Sequence, residues 1–229
     1  MNVQQPLALQ TRCTQWLSAV FLSVLLFGAV LHAATPLDFR QFINSLLERY
    51  GQPAQARGEQ WSEVIEQIRG YEPEQQLKAV NDFFNTFLFS DDIVVWRQED
   101  YWATPMEFIG RGAGDCEDFV IAKYYSLVEA GFPADKLRLM YVKAIDYNQH
   151  HMVLTYYPRR GVEPLVLDNL DPVIKPSGQR QDLLPIYSFN ADFLWLVKAR
   201  GEGQNVGSSD RLSLWQDLQQ RFAREAGQR

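Results

Sequence analysis

Gly112-Ala113-Gly114-Asp115-Cys116-Glu117-Asp118-Phe119 runs directly into Val120-Ile121-Ala122-Lys123-Tyr124-Tyr125-Ser126-Leu127-Val128, and Gly131 closes the segment. Two glycines permit a tight turn, Asp115 is suited to cap a helix, and Cys116 then falls in the first helical turn. Unpaired backbone N–H groups and the positive end of the helix dipole favour a thiolate there. The run from Phe119 to Val128 is apolar on more than one face, which predicts a helix in the middle of the fold. A lone cysteine at a helix start is by itself more often a small buried hydrophobe. The surrounding residues decide between the two.

Working outward toward the N-terminus, the periodicity is helical. Thr35-Pro36-Leu37-Asp38 reads as a helix start, followed by Phe39, Phe42, Ile43, Leu46 and Leu47 at helical spacing and a stop at Tyr50-Gly51. A loop over Gln52 to Gly58 leads to a second helix carrying Trp61, Val64, Ile65 and Ile68. Glu72-Pro73-Glu74 opens a third with the stripe Leu77, Val80, Phe83, Phe84, Phe87 and Leu88. Ser90-Asp91-Asp92 is expected to end the helical part, with an irregular aromatic-rich stretch from Ile93 to Ile109.

Toward the C-terminus the period changes to two. Leu137 to Ile145, His151 to Tyr157, Pro164 to Leu167 and Phe193 to Lys198 read as strands separated by turn residues. Helices followed by an antiparallel sheet predict an α+β domain, over residues 35–200. The tail, residues 201–229, has Leu212, Leu214, Trp215, Leu218 and Phe222 at the spacing of a short amphipathic helix, packed on the body or frayed.

The first 34 residues stand apart. Arg12 precedes an uncharged apolar run from Trp16 to Leu31, and His32-Ala33-Ala34 supplies small residues before Thr35. That is the pattern of a Sec signal peptide or an uncleaved signal anchor, and either puts the remainder outside the cytoplasm. Cys13 precedes the apolar run and so is not placed as a lipoprotein cysteine. Cleavage would leave Cys116 as the only thiol in an oxidising compartment, where a free cysteine calls for a chemical reason. At 229 residues, 46% hydrophobic and 22% charged, the chain has the composition of a globular protein with a real core. Its formal net charge of −6 argues against nucleic acid or anionic membrane as the main partner.

A cysteine nucleophile needs a base and a group that orients the base. After the export segment only His150 and His151 are available. Alternation along His151-Met152-Val153-Leu154-Thr155 lets only one of them point along the Val153/Thr155 side. The next strand ends in Asp168-Asn169, so His151 and Asp168 are expected to meet on the sheet face that receives the Cys116 helix. Asp115, Glu117 and Asp118 crowd the cysteine and should raise its pKa. They either complement the helix dipole or hold a hard cation such as calcium, which would reverse the local field. Three acids cannot fill a calcium shell, so carbonyls, water or an upstream Asp91, Asp92 or Asp100 would have to help.

Trp102-x-Thr104-Pro105-x-Glu107, Gly114-Asp115-Cys116-Glu117-Asp118, His151-Met152-Val153-Leu154 and Leu167-Asp168-Asn169 together resemble the bacterial transglutaminase-like cysteine proteinases, most nearly the LapG-type periplasmic proteases. The resemblance spans roughly Phe39 to Lys198. It implies a papain-like, transglutaminase-like core with Cys116 as nucleophile, His151 as general base and acid, and Asp168 orienting the imidazole. It implies Ca2+ as cofactor, on Asp115 and Glu117 with Asp118 as a less secure third. An oxyanion site is expected from the Cys116 backbone N–H and a donor between Trp96 and Trp102. Further implied are a periplasmic location, cleavage of the N-terminal region of a large adhesin beside two alanines, and biofilm release. The implied inhibitor is the periplasmic domain of an inner-membrane cyclic di-GMP receptor. The rival readings are a transglutaminase, with an amine replacing water, and a catalytically silent binding module.

Overall fold

A computed structural model of the chain describes residues 37–197 and 203–226. The expected export segment and the expected Thr35–Pro36 helix start lie outside the described residues. No described helix is long and apolar enough to cross a membrane.

Helix α1 (Phe39–Tyr50) is capped by Asp38, whose carboxylate accepts from the Gln41 N–H at 3.1 Å, and it buries Phe42 and Leu46. Helix α2 (Gln52–Ile68) starts immediately after Gly51, so the loop expected over Gln52 to Gly58 does not exist. Pro53 sits in the first turn, where its missing N–H has no helical partner to lose. Gly58 is helical because Leu46 packs against its bare backbone; an added Cβ would collide with Leu46 Cδ1. Helix α3 (Pro73–Phe84) ends before the expected stripe does. Phe87 leaves the helix to pack 5.0 Å from Phe108, and β1 (Leu88–Phe89) pairs in parallel with β2 (Ala113–Gly114).

The stretch expected to be irregular holds two short helices, α4 (Asp92–Val95) and α5 (Pro105–Arg111). Thr104 and Glu107 close a reciprocal capping box on α5: Thr104 Oγ1 accepts from the Glu107 N–H, and Glu107 accepts from the Thr104 N–H at 2.8 Å. Aromatic density masked a helix start that Thr104-Pro105-x-Glu107 spells out.

Helix α6 (Cys116–Glu129) is the axis of the fold. It packs against α2, α3 and α5 on one side and against β3 (Leu137–Ala144) and β4 (Gln149–Tyr156) on the other. Phe119, Ile121, Ala122 and Leu127 are buried, which is why no face of this helix is polar. Trp61 on α2 donates its indole N–H to Ser126 Oγ at 2.7 Å, satisfying both polar groups in the core.

The sheet is antiparallel, in the order β6-β5-β4-β3-β7-β8-β9. Beyond the strands expected from sequence, β5 (Leu165–Leu167) is flanked by β6 (Lys175–Pro176), and β8 (Phe193–Leu196) lies between β7 (Leu183–Phe189) and β9 (Gln204–Ser208). β7 escapes period-two reading because its register with β3 slips beside Pro185, which has no ladder N–H to give. Leu139, Met152, Leu154 and Leu167 face α6; Met140, Val142, Val153, Val166 and Leu183 form a second cluster on the opposite face. The tail is packed rather than frayed. Helix α7 (Ser213–Glu225) buries Trp215 and Leu218 completely, with Trp215 5.2 Å from Phe189 and 6.0 Å from Tyr125. The architecture is α+β, as expected.

Candidate active site

The site begins where β2 turns into α6. Gly112 adopts φ +70° as the cap of α5, a conformation that disfavours any Cβ. Gly114 is needed for a different reason: an added Cβ would stand 2.9 Å from both Cβ and Cγ of Asp118 and closer still to its Oδ2. Asp115 occupies the cap position of α6, yet its side chain makes no capping hydrogen bond. The capping role expected for it is therefore not what its carboxylate does; it turns toward the neighbouring acids.

Cys116 is the first residue of α6 and is 9% exposed. Its thiol donates to Glu117 Oε2 at 2.7 Å. Burial, then the charges of Glu117 and Asp115, push the thiol pKa well above its ordinary value; only a hydrogen bond from the Met152 backbone pulls the other way. Helix-end stabilisation of a thiolate is thus outweighed by burial and then by the acids.

His151 and Asp168 are each 1% exposed, and His151 Nε2 lies 2.7 Å from Asp168 Oδ1. Asp168 Oδ1 also accepts from the Leu170 N–H at 3.0 Å, and Oδ2 accepts from Arg180 Nη2 at 2.7 Å. Burial alone would raise the Asp168 carboxyl. The bonds from His151, Leu170 and Arg180 overrule it and bring the pKa down to about 2, so the carboxylate is ionised at any physiological pH. With Nε2 held by Asp168, Nδ1 is the ring nitrogen left to serve the thiol. His150 is exposed and stacks on Tyr141 with ring centroids 5.2 Å apart, so the pair to Asp168 belongs to His151.

One expectation needs correction. His151 pairs with Val142 across the β3–β4 ladder, which puts its side chain on the face of the second cluster, not on the face that receives α6. The physical reason is alternation along β4: His151 shares the side of Val153 and Thr155, while Met152 and Leu154 turn toward α6. The Met152 backbone, next to His151 on β4, hydrogen-bonds the Cys116 sulfur.

The acids form a cluster. Carboxylate oxygens of Asp92, Asp115 and Asp118 lie within 4.8 Å of one another, and Asp115, Cys116 and Glu117 form an adjoining group. Asp118 is fully buried, with Oδ1 accepting from the Ala103 N–H at 2.7 Å and Oδ2 from the Trp96 indole at 3.1 Å. Asp92 Oδ2 accepts from the Tyr101 N–H at 2.6 Å, while Asp92 Oδ1 and Asp115 Oδ1 are buried with no hydrogen-bond partner among the described residues. Burial first, then mutual repulsion with Glu117, Asp118 and Asp92, lifts Asp115 to about 10. Burial likewise raises Asp92 to about 6, with repulsion from Glu117 and Asp100 adding to it. Two orphaned carboxylate oxygens among mutually repelling acids are a donor set that fits a hard cation. Asp92 thus joins Asp115, Glu117 and Asp118 as a candidate ligand. In the region expected to donate to an oxyanion, the Trp96 indole and the Tyr101 amide are already committed to these carboxylates.

Sequence reading missed the support behind the triad candidates. Arg180 bridges Asp168 and Asp182, and nothing in its local sequence signals that. Lys123, fully buried on α6, donates to Asn81 Oδ1 and Asn85 Oδ1, both at 2.8 Å, and Asn85 Nδ2 in turn holds the Asp168 carbonyl at 2.9 Å. A lysine inside an otherwise apolar helix was the one available hint. Arg221 on α7 binds Glu107 of the capping box and donates to the Trp102 carbonyl at 2.6 Å, so the tail braces the wall beside the acids.

Residues 32–181 match the family model described as bacterial transglutaminase-like cysteine proteinase, BTLCP. Among solved structures, the chain is similar to Legionella pneumophila LapG in three forms. The EGTA-treated form is 40% identical at a TM-score of 0.73, covering 82% of this chain and 100% of that one. A further LapG structure from the same organism gives 39% and 0.72, covering 82% and 99%. The calcium-bound form gives 43% and 0.69, covering 79% and 97%. No curated protein matches the chain.

Proposed function

Because the chain belongs to the bacterial transglutaminase-like cysteine proteinase family, we propose that it is a calcium-dependent periplasmic endopeptidase with Cys116, His151 and Asp168 as its catalytic triad. The observation that carries this reading is the buried 2.7 Å bond between His151 Nε2 and Asp168, on the strand whose Met152 backbone hydrogen-bonds the Cys116 thiol. His151 Nδ1 takes the thiol proton, and Cys116 Sγ attacks the scissile carbonyl. The tetrahedral adduct collapses to a thioester as the imidazolium protonates the leaving amine. His151 then takes a proton from water, hydroxide attacks the thioester, and the thiol is restored. Asp168 holds the ring in the tautomer and orientation this needs.

Asp92, Asp115, Glu117 and Asp118 are the residues that would hold calcium. The calcium-bound relative supports the choice of metal. A divalent ion there would supply positive charge to offset the acids that, after burial, keep the thiol protonated. Glu117, which accepts the thiol proton's hydrogen bond in this structure, is the residue through which that offset reaches sulfur.

The substrate is proposed to be the N-terminal region of a large surface adhesin, cut beside a pair of alanines to release biofilm cells. The periplasmic domain of an inner-membrane cyclic di-GMP receptor would hold the enzyme inactive. These assignments rest on family membership. Incubation with an adhesin N-terminal fragment, read on a gel, tests them: cleavage is expected with calcium, and none with EGTA or in Cys116→Ala. Undiminished cleavage by Cys116→Ala would remove the triad reading. Cleavage indifferent to EGTA would reduce the acids to structural groups.

A further inference from the structure

A carboxylate that orients a histidine must itself be oriented, because its terminal torsion is broad and roughly two-fold. Asp168 offers Oδ1 to His151 Nε2 and to the Leu170 N–H, and both bonds lie on one side of the group. Oδ2 is fixed by Arg180 alone among the hydrogen bonds described, at 2.7 Å. Arg180 is only 4% exposed and cannot swing, since Asp182 grips it in a fork: Nε to Oδ1 at 3.0 Å and Nη2 to Oδ2 at 2.8 Å. The guanidinium is planar, so a fork on one edge sets the direction in which Nη2 reaches for Asp168. Arg180 follows the turn at Ser177–Gln179 and precedes β7, so the grip also ties the end of β5 to a strand on the far side of β3.

We propose that Arg180 is a positioning residue, which through the Asp182 fork locks the Asp168 carboxylate in the plane that presents Oδ1 to His151. The inference rests on the triad reading above and adds a fourth member to it. A lysine would keep the charge and lose the fork, so the role belongs to geometry more than to charge. The two contributions act in opposite directions. Removing a cation from Asp168 strengthens its pull on the imidazolium and would favour the Cys116 thiolate. Losing the carboxylate's orientation disfavours the thiolate.

The test is the rate of Cys116 alkylation by iodoacetamide against pH, with calcium present, for the full chain, Arg180→Lys, Arg180→Gly, Asp182→Asn and Asp168→Asn. Circular dichroism confirms which variants are folded. For Arg180→Lys and Arg180→Gly the expectation is a roughly tenfold slower alkylation at neutral pH, the scale of losing a supporting contact behind a functional group. The profile should move toward that of a free thiol, and added guanidinium chloride at non-denaturing concentration should restore part of the rate in Arg180→Gly only. Asp182→Asn should show a smaller loss in the same direction. Alkylation unchanged or faster in folded Arg180→Lys overturns the proposal, as does equal response to guanidinium in all variants. If Asp168→Asn is also unchanged, the triad reading fails instead, so the two failures are distinguishable. Should Arg180→Gly not fold, Arg180→Lys and Asp182→Asn still decide.

Discussion

Replacing Gly114 by alanine probes the tightest packing in the site. Gly114 cannot retreat, because its carbonyl accepts from the Ser90 N–H at 2.9 Å and it is paired with Phe89 in the β1–β2 ladder. The new methyl would meet Asp118 Cβ and Cγ at 2.9 Å and Oδ2 inside that distance. Asp118 cannot retreat either without loosening its bonds from Ala103 and Trp96. Overpacking a tight site costs about 1–3 kcal/mol, and weakening one hydrogen bond to a buried carboxyl costs about 1–3 kcal/mol more. A sum of about 4 kcal/mol, at roughly 2–4 °C per kcal/mol for a chain of this size, lowers the melting temperature by roughly 10 °C. Differential scanning calorimetry with calcium and with EGTA reads both effects. The calcium-induced rise in melting temperature should shrink in Gly114→Ala, because Asp118 is displaced from the cluster it shares with Asp92 and Asp115. Gly112→Ala, strained by its φ of +70° at about 1–2 kcal/mol, should melt early yet keep the calcium response. A Gly114→Ala protein melting within about 2 °C of the parent would refute the packing argument. An unchanged calcium increment would refute the link from Gly114 to the acids.

Two further outcomes follow from the supports of the site. Burial depresses the Lys123 ammonium from its ordinary value to about 7. Between that pH and about 10.5 the unfolded chain binds a proton the folded chain does not. This group's contribution to stability therefore rises with pH across that window, and the full penalty is felt below it. Urea unfolding at several pH values should show that slope flattened in Lys123→Met, and an identical slope in both proteins would count against a buried, depressed ammonium. Arg221→Met removes the bonds to Glu107 and the Trp102 carbonyl and should cost about 2–4 kcal/mol. Limited proteolysis should then release the α7 segment first, and resistance equal to the parent would mean that Trp215 and Leu218 suffice to hold it.

What could be read from residues alone followed from local physics. Apolar residues on every side of Phe119 to Val128 require a helix surrounded by protein, and α6 is that helix. Alternation marked β3 and β4 because both strands bury alternating positions on two packed faces. The pairing of His151 with Asp168 was legible because β4 and β5 are consecutive antiparallel strands, so the start of one lies beside the end of the other. Local signals failed where a distant group overrode them. Gly58 reads as a breaker until Leu46 fills its place, and Pro185 reads as an interruption until a bulge absorbs it. Asp115 reads as a cap until Asp92 and Asp118 converge on it. The sheet face that α6 covers and the clamp of Arg180 on Asp168 depend on which elements pack across the sheet and which loop crosses behind it. Side chains that meet across many residues of chain are brought together by the packing of whole elements, and no local pattern records that meeting.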